Sequence, residues 1–197
     1  MKTLHMHPLA SYCQKVLIGL YELEIDFEKQ FVDLADEESR AAFYALAPLG
    51  QMPALVDEGR VFVESTIILE HVGPRLFPSL EARAQDRFWD LHVHTPMQRL
   101  VANTLRPPDA KDPYGVTKLK EALALAYDVA DRELATTHDA FTIADCAAAP
   151  ALFFAAKIVP FGGRKHLGDY FSRLRSRPSV KRTFDEAAPY LHMFPGG

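Results

Sequence analysis

Cysteine is nearly absent: the 197 residues contain two, Cys13 and Cys146. A pair so far apart supplies neither a disulfide scaffold nor the ligand spacing of a zinc knuckle, and a reducing cytoplasm is the expected setting. Long hydrophobic runs are missing too. The longest, Cys146 to Ala156, is broken by Pro150 and falls short of the roughly 20 residues a membrane span requires. There is no basic excess either. Twenty-two Lys+Arg against 26 Asp+Glu leave a formal charge of −4, which argues against a broad nucleic-acid footprint. Arg164, Lys165, Arg173, Arg175, Arg177, Lys181 and Arg182 crowd the last third, and a solvated helix surface accounts for them. Met1 to Pro8 lacks the apolar stretch of a secretory signal, so the chain reads as a mature start.

What remains is an ordinary globular composition, 48% hydrophobic and 24% charged, able to bury a sizeable core. Lys2 to Met6 alternate before Pro8, which suits a short strand, and Ser11 opens a helix carrying Val16, Leu17, Leu20 and Tyr21 at helical spacing. Ile25, Phe27, Phe31 and Val32 mark a second strand between Glu24 and Val32. Asp36-Glu37-Glu38 starts a second helix through Leu46. Pro53–Asp57 and Arg60–Val63 flank Glu58-Gly59, the pattern of a hairpin, after which Glu64-Ser65 opens a helix through Leu76. This order predicts a thioredoxin-like α/β domain with a mixed four-stranded sheet over residues 1–76.

Beyond Phe77-Pro78-Ser79 the strand signals vanish. A linker over 77–83 and an all-α helical bundle over 84–197 are expected. Trp89, Val93, Met97, Leu100 and Thr104 share one helix face, and Pro96, which frees the carbonyl of His92, should kink that helix. Thr142 and Asp145 form a capping box before a helix with no polar face, the candidate central helix of the bundle.

Two short segments could hold a ligand. In Gly50-Gln51-Met52-Pro53, a cis bond before Pro53 would turn the Met52 backbone outward, free to pair with a peptide-like ligand; an ordinary turn proline is the competing reading. At Glu64-Ser65, the Ser65 hydroxyl and the first helical N–H groups could grip a carboxylate while Glu64 takes an ammonium; plain helix capping is the alternative. An α-amino acid end would match that pair. Cys13 has Ala10 three residues before it, so there is no Cys-x-x-Cys pair, and packing on the first helical turn accounts for it. His92 and His94, two apart on a helix, point to different sides and share no metal; His5 and His7 have no third ligand.

Taken together, the opening strand, Ser11-Tyr12-Cys13, Pro48-x-Gly50-x-Met52-Pro53 and Glu64-Ser65-x-x-Ile68-Leu69 resemble the cytosolic glutathione transferase family, of the bacterial, serine- or cysteine-like kind. The capping box is typical of that family's central helix. The resemblance implies a transferase with glutathione as co-substrate and no metal, joining its thiolate to a small apolar electrophile, and a homodimer. It places the cysteinyl backbone on Met52 and Pro53, the γ-glutamyl end on Glu64 and Ser65, and the glycyl end near Gln51. Phe88, His92 and Gln98 would line the electrophile cleft. For the thiolate it implies a hydroxyl at the first helix: Ser11 is the natural choice, although counting back from Val16 puts the family's usual position on Ala10, where only a backbone N–H is available. Moving a thiol pKa from about 8.5 to about 6.5 takes roughly 2.7 kcal/mol. One hydrogen bond to a charged group gives about 1.5–3 kcal/mol and a helix N-terminus about 0.3–1, so either arrangement could suffice. A non-catalytic glutathione- or ligand-binding module, and a glutathione-dependent disulfide reductase working through Cys13, are the other functions such a chain could serve.

Overall fold

A computed structural model describes residues 1–135 and 140–195. Four short strands, β1 (Thr3–Met6), β2 (Glu28–Phe31), β3 (Ala54–Asp57) and β4 (Arg60–Val63), form one sheet in the order β2-β1-β3-β4. β1 pairs parallel with β2, with Thr3 opposite Glu28, while the β1–β3 and β3–β4 pairs are antiparallel. The β3–β4 turn is Glu58-Gly59, both at positive φ (50° and 76°), the left-handed pair that a two-residue hairpin needs. β2 is shorter than the alternation predicted: Glu24 turns at φ 55°, and Ile25 and Phe27 pack into the main core before the strand begins.

Helices α1 (Ser11–Glu22), α2 (Glu37–Leu46) and α3 (Ser65–Val72) complete the first domain. The apolar faces of α1 and α3 join Leu4, Met6 and Leu55 of the sheet in the main core. A second, smaller core of Val32, Phe43, Ala47 and Ala54 lies under α2. Asp36 caps α2 by accepting from the Ser39 backbone N–H.

The helical domain begins earlier than the linker expected over 77–83 allows. Ser79 caps α4 (Leu80–Phe88), its hydroxyl accepting from the Ala82 N–H. A π-helical segment, Trp89–His94, then leads into α5 (Thr95–Leu105). The predicted kink is thus taken up by wider turns ahead of Pro96, whose missing N–H leaves the ladder open there. α6 (Pro113–Leu134), α7 (Ile143–Ile158), α8 (Lys165–Ser176) and α9 (Pro178–Ala187) follow. α7 starts with the expected capping box, the Asp145 carboxylate accepting from the Thr142 N–H at 2.8 Å. Tyr170 of α8 donates to the other carboxylate oxygen at 2.9 Å. Alanines 144, 147, 148, 149, 151 and 155 are buried along α7, and their small side chains let neighbouring helices, α1 among them, come close.

α1 therefore lies between the sheet and α7. Its Lys15, fully buried, places Nζ 2.6 Å from Asp86, 2.8 Å from Asp90 and 2.8 Å from the Thr66 hydroxyl. This cluster ties α1 and α3 of the first domain to α4 and the π-helical segment of the second. Removing one partner of a buried ion cluster costs about 3–5 kcal/mol, because the remaining charges are left unpaired out of water. Lys15→Met should lower the stability measured by urea denaturation by about that amount; an unchanged midpoint would contradict the role given to the cluster.

Candidate functional site

Between the two domains lies a cleft of about 1220 Å³. Its first-domain wall comes from three chain segments: Ala10, Ser11 and Tyr12 at the start of α1; Gln51, Met52 and Pro53 ahead of β3; and Glu64 and Ser65 at the start of α3. The Met52-Pro53 bond is cis. Pairing of β3 with β1 begins at Ala54, so Met52 stands just beyond the end of the ladder. Glu64 sits at φ 68°, a left-handed conformation that costs a non-glycine residue of order 1–3 kcal/mol and is kept mainly where the surroundings enforce it. No side chain caps α3 at Glu64, and Ser65, its first residue, is buried against the cleft. The expected glutathione residues Ser11, Gln51, Met52, Pro53, Glu64 and Ser65 thus meet on one wall.

The opposite wall is apolar and belongs to the helical domain. Met97, Val101 and Leu105 follow one another at four-residue spacing along α5, joined by Phe154 of α7 and by Phe194, whose ring packs 5.0 Å from that of Phe154. Gln98 lines this wall as expected. Phe88 and His92 do not. Their rings pack against each other at 5.5 Å, and Phe88 also meets Trp89 edge-on at 5.3 Å. Arg87 and Asp90 are the residues of this stretch that line the cleft, and the helical turn carries Phe88 and His92 round to another face. Phe194 carried no signal in sequence, because its place depends on how the chain returns after α9.

At the floor of the cleft, Ser11 is hydrogen-bonded through Oγ to Nε2 of His94, and both residues are buried. Burial, with the Lys15 ammonium as a smaller contribution, lowers the His94 pKa to about 3, so the imidazole is neutral at physiological pH. The Tyr12 ring stacks over it at 4.0 Å between centroids, and burial raises the Tyr12 phenol to about 12. Ala10 is the N-cap of α1 and offers no side-chain cap, so the hydroxyl-bearing residues that the first turn of this helix brings to the cleft are Ser11 and Tyr12. Cys13 points away into the core, fully buried, and burial pushes its thiol up to about 12. Among the described residues no group of three or more His, Cys, Asp or Glu is arranged to hold a metal ion.

A small mixed-sheet domain and an all-helical domain behind it define a two-domain protein with a cleft between them, polar on one side and apolar on the other. Residues 10–73 match the family model of the glutathione S-transferase N-terminal domain. The chain is 32% identical to glutathione S-transferase 3 of Zea mays over 199 aligned positions, covering 89% of this chain and 90% of that one. It belongs to the glutathione S-transferase family. A stringent starvation protein A homolog of Haemophilus influenzae is 28% identical, with 90% of this chain and 87% of that protein covered. Among solved structures, a glutathione S-transferase of Methylobacillus flagellatus with glutathione bound superposes with a TM-score of 0.84 at 21% identity, over 93% of this chain and 98% of that one, a likeness of fold.

The neutrality of His94 has a consequence for stability. In the unfolded chain its pKa is near 6.5 and in the fold about 3. Below pH 6.5 the unfolded state therefore takes up a proton that the native state refuses, and stability is lost as pH falls through that window. His94→Gln removes this titration, while Asp90 and Asp145, both raised by burial, remain common to the two proteins. Between about pH 6 and 4, the stability of the wild type should fall more steeply than that of the variant, by about 1.4 kcal/mol per pH unit. Parallel curves in denaturant melts over that range would contradict a neutral buried imidazole.

Proposed function

We propose that this chain is an active glutathione transferase: it binds reduced glutathione along the first-domain wall, holds its sulfur as thiolate beside Ser11, and delivers that thiolate to a small apolar electrophile held against α5 and α7. The observation that carries this reading is the meeting of Ser11, Met52, Glu64 and Ser65, far apart in sequence, on one wall of one cleft. The backbone at Met52, just beyond the end of the β3 ladder, suits a peptide, and the uncapped start of α3 beside Glu64 suits a group bearing both carboxylate and ammonium. Gln51, at the open end of the same wall, is assigned the glycyl end.

The thiolate is the nucleophile, and it must exist before the electrophile arrives. Lowering its pKa to about 6.5 raises the ionised fraction at pH 7 from about 3% to about 75%. The Ser11 hydroxyl, donating to sulfur, and the backbone N–H groups of the first α1 turn supply the required preference; the thiol proton leaves to bulk water. The electrophile packs on Met97, Val101, Leu105, Phe154 and Phe194, where water exclusion strengthens the Ser11–thiolate bond. Reduction of disulfides through Cys13 is disfavoured by its burial. A two-fold homodimer in the cytoplasm is part of the same proposal.

A second reading, a binding module of this fold without turnover, is favoured by one observation: Ala10 has no hydroxyl to offer the sulfur. Relatives named stringent starvation protein A, a name that claims no transfer reaction, fit it as well. Conjugation of an activated aryl halide at saturating glutathione separates the two. The wild type should turn over, and Ser11→Ala should lower kcat/KM by roughly 10- to 100-fold, the worth of one hydrogen bond to a charged sulfur. Glutathione binding by calorimetry with no conjugation above the solution rate would decide for the binding module.

A further inference from the structure

We propose that His94 is a positioning residue: its Nε2–H donates to Ser11 Oγ, which leaves the serine hydrogen free to point into the cleft and donate to the glutathione sulfur. This inference rests on the reading of Ser11 as the thiolate's hydrogen-bond donor.

The Ser11 oxygen and Nε2 of His94 share a hydrogen bond, and Nδ1 of the same ring is buried without a partner among the described residues. A neutral imidazole carries one N–H. If that hydrogen were on Nδ1, a buried N–H would be left unpaired and the Ser11 hydrogen would be spent on Nε2. If it is on Nε2, only a lone pair is left unpaired, which is the cheaper and commoner omission. The Nε2–H tautomer is therefore the one the fold holds. Ser11 then receives a hydrogen bond from the protein and keeps its own hydrogen for the ligand, and a hydroxyl that accepts on one side donates more strongly on the other.

The surroundings hold this arrangement. Lys15 and Ser11 lie four residues apart on α1, as Asp90 and His94 do on the π-helical segment. The Lys15–Asp90 ion pair and the Ser11–His94 hydrogen bond are thus adjacent rungs between two antiparallel helical stretches. The charged and titratable groups around the pair are the buried cluster of Lys15, Asp86 and Asp90, and Tyr12, Arg87 and Glu64 on the cleft wall. Tyr12 stacks over the His94 ring, between it and the cleft.

The direct test is the pKa of enzyme-bound glutathione, read from thiolate ultraviolet absorbance as pH is varied, in the wild type, Ser11→Ala, His94→Phe, the double variant and His94→Gln. The expected result is a rise of about one unit or more for Ser11→Ala and a smaller rise for His94→Phe. His94→Phe should add nothing in the Ser11→Ala background, and His94→Gln, whose amide keeps a donor near the Nε2 position, should stay close to the wild type. A shift for Ser11→Ala with none for His94→Phe overturns the role of His94 and leaves Ser11 as donor. No shift for Ser11→Ala overturns both. An equal effect of His94→Phe with and without Ser11 also overturns it, since the influence would not pass through the serine. If His94→Phe does not fold, His94→Gln is compared with His94→Asn, whose shorter amide cannot reach Ser11: a raised thiol pKa in the Asn variant alone supports the inference, and equal values overturn it.

Discussion

A lysine ammonium with no exposure to water must be surrounded by acceptors, and Lys15 finds them on elements that are distant in sequence. Asp86 belongs to α4 and Asp90 to the π-helical segment of the helical domain, Thr66 to α3, and Lys15 to α1, so satisfying one charge sets the relative placement of four elements. The Thr66 hydroxyl in turn donates to Asp86 at 3.0 Å, and Arg87 reaches Asp90 at 3.1 Å from the cleft side. Because such a cluster tolerates little slippage, the rung next to it, Ser11 against His94, is fixed as well. The positive charge of Lys15 also helps keep that imidazole neutral.

The same placement divides the cleft into two chemistries. The first domain contributes strand ends and helix starts, where backbone groups are not consumed by secondary structure and can meet a polar, peptide-like molecule. The second contributes the side of α5 and the end of α7, which carry methionine, aliphatic and phenylalanine side chains at the positions facing inward. α1 is packed on α3, α7 and α9 and brings its first turn to the floor where the two meet. Family membership is established by the match over nearly the whole length; under the proposed function the electrophile is selected by shape, to which a methionine- and phenylalanine-lined surface adapts.

Much of this was legible in the residues. The hairpin at Glu58-Gly59, the capping box at Thr142 and Asp145, the cis bond before Pro53 and the buried α7 all follow from local patterns whose physical cause acts within a few residues. The polar wall was legible through the family resemblance that its three short motifs carry together, since each motif alone also fits an ordinary turn or helix cap. The apolar wall was legible only in part. Gln98 faces the cleft, but the π-helical turns at Trp89–His94 make helical phase an unreliable guide to Phe88 and His92, and the return of the chain to Phe194 leaves no local mark. The roles of His94 and Lys15 escaped notice for a different reason. A polar residue's importance here comes from a partner about 75 to 83 positions away, and no periodicity encodes that distance.

The proposed thiolate chemistry depends on sulfur meeting the Ser11 hydroxyl at the first turn of α1. A crystal structure with reduced glutathione bound tests this most directly. The tripeptide should lie extended along Met52 with its γ-glutamyl end at Glu64 and Ser65, its sulfur within hydrogen-bonding distance of Ser11 Oγ, and the Ser11–His94 contact intact. A sulfur that instead meets only the backbone N–H groups beside Ala10, with Ser11 turned wholly toward His94, would contradict it.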